Sequence, residues 1–332
     1  MLFSRQTLSN LTLPELEDLC ALVMDVISEK QVPGFNCERS LVCPHCGSIH
    51  CVKNGKVRLK QRFLCRDCCK TFGASTGTAF ASSNLPKEKW QAYVKCMVEG
   101  RTLEKSAELV GVCLKTSFYM RHKILNALAS IETSTVSGTV QMDETFVAES
   151  FKGNHKKSGF QLPRKARKRG HQVTKRGLSR EQVCVGTAID RNANLIMGMT
   201  GHGRVSCAEL ERLYEGYVTK GSTLWTDGLN SYKKLSKKLK AHHEMVPSGE
   251  YAKGDVNLAH INSLHRRFRG FLEPFHGVST KFLGNYLAWF RWAEQAKGLR
   301  ESAKAGQMWK DALGEAVDVR IGTIRRQVAA FV

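Results

Sequence analysis

Between Thr139 and Val246 the chain alternates between two rhythms of apolar and polar positions. The runs Thr139–Val147, Gln182–Asp190, Ala193–Thr200, Thr223–Trp225 and His243–Val246 read as strands, while Ala208–Tyr217 and Ser231–Leu239 repeat at helical spacing. Three strands, a helix, a strand, a helix and a strand predict an α/β domain, a mixed sheet with flanking helices. Two further helices are expected near 258–272 and 279–297, followed by a basic helical tail. Upstream, Leu85 to about Leu128 is helical in period. Thr102 suits the cap of a helix over Leu103–Val110, Gly111 the tight turn, and Lys115–Leu128 a second helix. Ala107 and Gly111 are small where close packing and a sharp turn need it. A first helix is expected over 12–31, with Pro14 in its first turn and Pro33-Gly34 ending it. The chain thus divides into a helical segment (1–38), a cysteine-rich segment (39–75), a helix-turn-helix-like domain (76–132), the α/β domain (133–298) with an insertion (150–181), and the tail (299–332).

Charge sharpens this picture. The net charge of +21 over 332 residues makes polyanions the first partners to consider, and a 42% hydrophobic content excludes a disordered chain. From Lys152 to Arg180 there are eleven Lys/Arg and no acid, with no apolar period. This stretch reads as a basic loop between the first two strands; Arg164, Lys165, Arg167, Lys168 and Arg169 are its candidates for clamping DNA phosphates, against a merely solvated insertion. In the helical domain Lys115, Arg121, His122 and Lys123 are the residues expected to face DNA. No export signal is legible, because Leu19 to Ile27 is broken by Asp25. No run approaches the ~18–20 apolar residues of a bilayer span. No membrane partner is expected, and the location expected is cytoplasmic and nucleoid-associated.

Of twelve cysteines, four form two knuckles, Cys43-Pro-His-Cys46 and Cys65-Arg-Asp-Cys68, with 18 residues between them. Zinc favours tetrahedral thiolate coordination, and two CxxC turns at the ends of a hairpin close such a site. A structural Zn2+ on Cys43, Cys46, Cys65 and Cys68 follows. His45, His50, Cys51 and Cys69 are bystanders, since four sulfurs already satisfy the ion. Asn54-Gly55-Lys56 suits the hairpin turn, and Arg58, Lys60, Arg62, Arg66 and Lys70 give the ribbon a basic face for DNA phosphates, or alternatively for a protein partner.

Two acids stand where strands should be buried. Asp143 lies mid-strand in Val140–Val147, and Asp227 ends the strand Leu224-Trp-Thr-Asp227 before a turn. A buried carboxylate is costly unless paired or bound to a cation, so the two suggest a metal site; a turn-capping role is the plainer reading of Asp227. Glu144 should point to the opposite face of the sheet. On a helix, Asn262, His265 and Arg269 share one face, while Leu264, Phe268 and Phe271 form an apolar face for the sheet.

These blocks resemble a known family. Cys43 to Phe72, with Lys56, Gln61-Arg62 and Cys65-Arg-Asp-Cys68-Cys-Lys-Thr-Phe72, is similar to the zinc ribbon of insertion-sequence transposases in the family numbered fifteen-ninety-five. Met142-Asp143-Glu144-Thr145 and Thr226-Asp227-Gly228 with Tyr232 resemble its first two catalytic blocks. Asn262-Ser-Leu-His265, Phe275-His-Gly277-Val-Ser-Thr280-Lys281-Phe-Leu283, Tyr286 and Trp289 resemble its third. The resemblance spans roughly residues 40–295. It implies an RNase H-like fold, two catalytic divalent ions (Mg2+ or Mn2+), and cleavage with strand transfer on double-stranded DNA, both element ends and target, by a homo-oligomer formed on DNA. Asp143 and Asp227 match the first two catalytic carboxylates, and Arg269 a basic DNA contact. The third position, often glutamate, is His265 here, with Asn262 three residues ahead, so either is a candidate ligand. A non-enzymatic zinc-ribbon regulator and an RNase H-like nuclease that cuts without joining are the alternatives.

Overall fold

The computed structural model describes Thr12, Glu15 and residues 42–57, 60–153, 161–162, 178–247, 252–254, 256–314, 317 and 319–332. The helix expected over 12–31 lies almost wholly outside the described residues, as do Arg58 and the five insertion candidates Arg164, Lys165, Arg167, Lys168 and Arg169. The chain forms two compact units, Met1–Ser130 with Ala296–Ile321 and Ile131–Gln295 with Gly322–Val332.

The first unit opens with a small antiparallel sheet, β1 (Cys51–Val57), β2 (Lys60–Cys65) and β3 (Thr71–Gly73), in that spatial order. Its core is meagre: Cys43, Cys65 and Phe72, with Phe63 stacked on Phe72 at 5.5 Å. Four helices follow, α1 (Lys87–Val98), α2 (Leu103–Val110), α3 (Leu114–Ser130) and, after the second unit, one over Glu301–Gly314. The α2 boundaries are those the sequence predicts. Thr102 Oγ1 accepts the Lys105 N–H at 3.3 Å, and Gly111 ends the helix at φ 64°, a left-handed turn that suits glycine.

The DNA-facing roles expected of Arg121, His122 and Lys123 do not survive the packing. All three are buried, within a continuous buried run from Met120 to Leu125. Arg121 Nη2 donates to the Arg101 carbonyl and to Ser106 Oγ, and Lys123 Nζ donates to the Ala81 carbonyl. The physical reason is that α3 has neighbours on several sides, because α1, α2 and the Glu301–Gly314 helix all pack on it. That last helix, expected only as part of a basic tail, brings Trp309 onto Phe80 at 4.4 Å. Lys115, in the first turn of α3, stays exposed.

The second unit is a five-stranded mixed sheet, β4 (Thr139–Ala148), β5 (Gln182–Asp190), β6 (Leu195–His202), β7 (Thr223–Thr226) and β8 (His242–Met245), in the order β6-β5-β4-β7-β8. β4 to β6 run antiparallel to one another in sequence, and β7 and β8 join parallel. β6 starts later than expected because Ala193, at φ 61°, still belongs to the turn, where Asp190 Oδ1 accepts the N–H groups of Asn192 and Asn194.

Strand periodicity splits the sheet into two apolar faces. Val140, Met142, Cys184, Ala188 and Leu224 pack under α4 (Cys207–Tyr214) and α5 (Asn230–Leu239). Val183, Val185, Ile189, Leu195 and Met199 pack under α6 (Ala259–Leu272) and α7 (Thr280–Gln295). α4 approaches so closely that a Cβ on Gly186 would stand 2.6 Å from Leu213. α6 offers Ile261, Leu264 and Phe268 to the sheet, and its Ile261 N–H is held at 2.9 Å by Gln141 Oε1 of β4. Among the described residues no helix is long and apolar enough to cross a membrane.

The burial of Arg121 carries a prediction. Arg121→Ala should lower stability by about 2–3 kcal/mol in denaturant titration, because it empties a packed site and strands the Arg101 carbonyl and Ser106 Oγ. The salt dependence of DNA binding should not change; a flattened salt slope would return Arg121 to the phosphate contacts.

Candidate active site and metal centre

The knuckle cysteines converge. Cys43, Cys46, Cys65 and Cys68 have all four sulfurs within 4.8 Å of one another, and among the described residues they are the one group of three or more His, Cys, Asp or Glu close enough to hold an ion. Cys43 and Cys68 Sγ are 3.5 Å apart, Cys46 and Cys65 Sγ 3.6 Å. Four sulfurs ~2.3 Å from one tetrahedral zinc would stand ~3.8 Å from each other. The donor set therefore fits a tetrahedral ion. The Cys68 N–H does most to draw the Cys65 thiol down to about 6. Cys46, although the Ser48 N–H lowers it, is pushed up to about 12 by desolvation and by the neighbouring thiols. One ready thiolate among reluctant ones is an arrangement that a cation resolves. Three of the four bystanders have other partners: His50 pairs with Asp67 at 3.2 Å, Cys51 Sγ donates to the Ser48 carbonyl, and Cys69 Sγ to that of Arg66. Arg62 is exposed beside Thr71 Oγ1, at 2.5 Å.

In the second unit Asp143 lies on the α6 side of β4, as strand alternation requires, with Glu144 on the other side. Asp143 Oδ1 accepts the Glu144 N–H at 2.8 Å. Burial raises its pKa to about 6, helped by the nearby charge of Asp227 and opposed by Glu144's N–H and by Arg269. Glu144 is pushed up to about 7, again mainly by burial, with the Tyr232 hydroxyl near enough to offset part of it. Asp227, one residue past β7, does cap its turn, since its Oδ1 accepts the Leu229 N–H at 3.1 Å. Among the described residues the capping engages Oδ1 alone, so the plain reading and the metal reading coexist.

His265 is buried and Asn262 exposed, although both lie on α6. His265 Nδ1 stands 3.6 Å from Asp143 Oδ2, and its Nε2 2.6 Å from Thr187 Oγ1. The Thr187 hydroxyl donates its single proton to the Asp143 carbonyl at 2.8 Å, so the proton between Thr187 and His265 belongs to the histidine. That fixes the Nε2–H tautomer and turns the Nδ1 lone pair toward the Asp143 carboxylate. Burial first, then Arg269, lowers the pKa of His265 to about 4, so the ring is neutral at pH 7. Two lone-pair donors face each other at a separation too long for a hydrogen bond. A divalent cation between them satisfies both. Arg269, exposed, lies at the rim, within electrostatic reach of Asp143 and His265.

Thr187 escapes a reading of sequence alone. Its only signal is a hydroxyl in the otherwise apolar run of β5, in register opposite Asp143. At the insertion's start, Lys152 Nζ is held by the Phe275 and Gly277 carbonyls at 2.8 and 3.1 Å.

Residues 135–295 match the model of the ISXO2-like transposase domain. A protein of Halobacterium salinarum, described as an uncharacterized protein in transposable element ISH50, is 28% identical over 262 residues, 75% of this chain and 83% of that protein. Two solved structures are similar: a pre-cleavage Mos1 transpososome (13% identity, 72% of this chain and 82% of that one, TM-score 0.24) and the Mos1 strand transfer complex (12%, 72% and 81%, TM-score 0.27). At those scores the likeness adds nothing to the strand order and register already described.

Two outcomes follow from these sites. Cys43→Ser or Cys65→Ser should unfold residues 42–73 and release about one zinc per chain, because so small a core needs its metal; clean protein without zinc by metal analysis would refute this. The Asp143→Asn variant, without divalent ions, should be more stable than the parent by roughly 1–3 kcal/mol at pH 8. The sign follows from the raised pKa. Above about 6 the folded state must hold a charge that burial disfavours, whereas the unfolded chain ionises freely. As pH falls through 6 the parent takes up its proton and the gap should close. A gap independent of pH, or of opposite sign, would contradict the assignment.

Proposed function

We propose that this chain, whose residues 135–295 match the ISXO2-like transposase domain, binds the ends of an insertion sequence and performs metal-dependent DNA cleavage and strand transfer. The observation that carries this reading is the Asp143 carboxylate, mostly buried, opposed by the Nδ1 lone pair of a neutral His265. Strand order supports an RNase H-like sheet, in which the first strand is central and flanked by the second and fourth.

In this reading Asp143, Asp227 and His265 hold two divalent ions, and Asn262, being exposed, is set aside as a ligand. Bound there, Mg2+ or Mn2+ supplies activation of a water or 3′-hydroxyl and stabilisation of the leaving oxygen in an in-line displacement. The protein's own contribution is placement. Glu144 N–H orients Asp143, Leu229 N–H orients Asp227, and Thr187 holds His265 in the tautomer that offers Nδ1. Arg269 at the rim is suited to a DNA phosphate. Arg62, Lys115 and the insertion residues Arg164, Lys165, Arg167, Lys168 and Arg169 supply further backbone contacts on double-stranded DNA. Zinc on the four cysteines is structural, and the working form is a homo-oligomer assembled on DNA.

The test uses duplex DNA carrying the element's ends. Asp143→Asn and Asp227→Asn should each reduce cleavage by at least about 10²-fold while DNA affinity stays within about threefold, since phosphates are held by other residues. His265→Ala should be as damaging, Asn262→Ala mild, and manganese should outperform magnesium because a nitrogen ligand suits it better. Active aspartate variants would sink the metal site. Cut ends that are never joined to a target would leave a nuclease instead.

A further inference from the structure

The ladder between β4 and β7 ends at Gln141 and Trp225, two residues short of Asp143 and Asp227. From there β7 is held from the β8 side, through Thr226 opposite Met245 and the Val246 N–H on the Thr226 carbonyl at 3.0 Å. Beyond the cap that Leu229 N–H gives its carboxylate, the backbone leading into Asp227 is held from β8.

His243 of β8 does this. It pairs with Leu224, so it shares a sheet face with Thr226, two residues on. Its Nε2 lies 2.8 Å from Thr226 Oγ1, and that hydroxyl donates its one proton to the Asp227 carbonyl at 2.7 Å. The His243 ring must then be the donor to Thr226. The chain from His243 through Thr226 to the Asp227 carbonyl repeats, residue type for residue type, the chain from His265 through Thr187 to the Asp143 carbonyl. The two differ at the far end. His265 Nδ1 faces a carboxylate, whereas His243 is half-buried and stands on the opposite flank of Asp227, with Lys233 nearby.

We propose that His243 is a positioning residue that, through Thr226, fixes the backbone of Asp227 and so sets where this carboxylate stands against Asp143. The inference rests on the reading of Asp227 as a cation ligand. It departs from the plainer view of His243 as a surface histidine that happens to touch a threonine.

Manganese binding to the full-length, zinc-loaded protein without DNA, followed by titration calorimetry, tests it independently of cleavage. His243→Ala should weaken Mn2+ binding about tenfold, and His243→Gln, whose amide N–H reaches Thr226 as Nε2–H does, should stay within about twofold of the parent. Thr226→Val should match His243→Ala, Thr226→Ser should restore binding, and His243→Ala with Thr226→Val should be no weaker than either alone, because both break one chain. A His243→Ala protein that binds as the parent does overturns the inference. So does a Gln variant as weak as the Ala variant, or losses that add. If His243→Ala fails to fold, the Gln variant and the Ser and Val pair at 226 decide. Should Asp227→Asn bind Mn2+ like the parent, the premise itself falls and the inference with it; normal binding by His243→Ala beside a defective Asp227→Asn overturns the inference alone.

Discussion

A carboxylate inside a sheet is the constraint around which the second unit is arranged. Asp143 sits mid-strand in β4, where neighbouring side chains exclude most water, and its charge is only partly answered by the Glu144 N–H and by Arg269 at the rim. Apolar burial would make this strand more stable with almost any other residue. Glu144 compounds the cost from the other face, with Tyr214 and Tyr232 buried around it. Two adjacent acids, one on each face of a central strand, are tolerable because the sheet has a complete apolar core on both sides to offset them.

Topology then decides what meets Asp143. As the central strand, β4 has β5 on one edge and β7 on the other, so Thr187 and Asp227 come to it from residues 44 and 84 positions downstream. α6 crosses above, anchored by Gln141 Oε1 on the Ile261 N–H, and lowers His265 onto Thr187 and the Asp143 carboxylate. The anchoring residue is two positions from Asp143 on the same face. A single strand therefore carries both the acid and the fixture for the helix that serves it.

Much of this was legible because periodicity is a local property. The β4 and β5 ranges, the Thr102 cap and the Gly111 turn follow from residues within a few positions of each other. Asp143 and Asp227 stand out for the same reason, as charges in apolar surroundings. What sequence could not show is burial imposed from afar. Arg121 and Lys123 look like a solvated basic face until a helix from the far end of the chain packs beside α3. Thr187 and Thr226 show locally no more than a hydroxyl in a strand, and that hydroxyl acquires its meaning from the histidine that another element brings to it. That His265 is buried and Asn262 exposed was hidden for a related reason, since one turn of helix separates the two positions only once the helix is docked.

The ribbon and the sheet meet the same electrostatic problem with opposite economies of structure. In the ribbon the apolar core amounts to Cys43, Cys65 and Phe72, and two of those three are themselves candidate ligands. Among the described residues only Cys51, Phe63 and Cys68 add to that core, so an ion on the four sulfurs would be part of the folding energy. In the sheet the apolar clusters on both faces are built without reference to Asp143, and no set of three ligand groups is drawn together beforehand among the described residues. A cation bound there would find its donors held apart by a rigid frame, not gathered by its own arrival. Under the proposed function this suits a reaction on phosphate, because an ion with part of its coordination left open would have positions for the DNA. On the proposed reading, the fold would lose an ion at Asp143 and keep its shape, whereas the ribbon would not survive loss of an ion from its four cysteines.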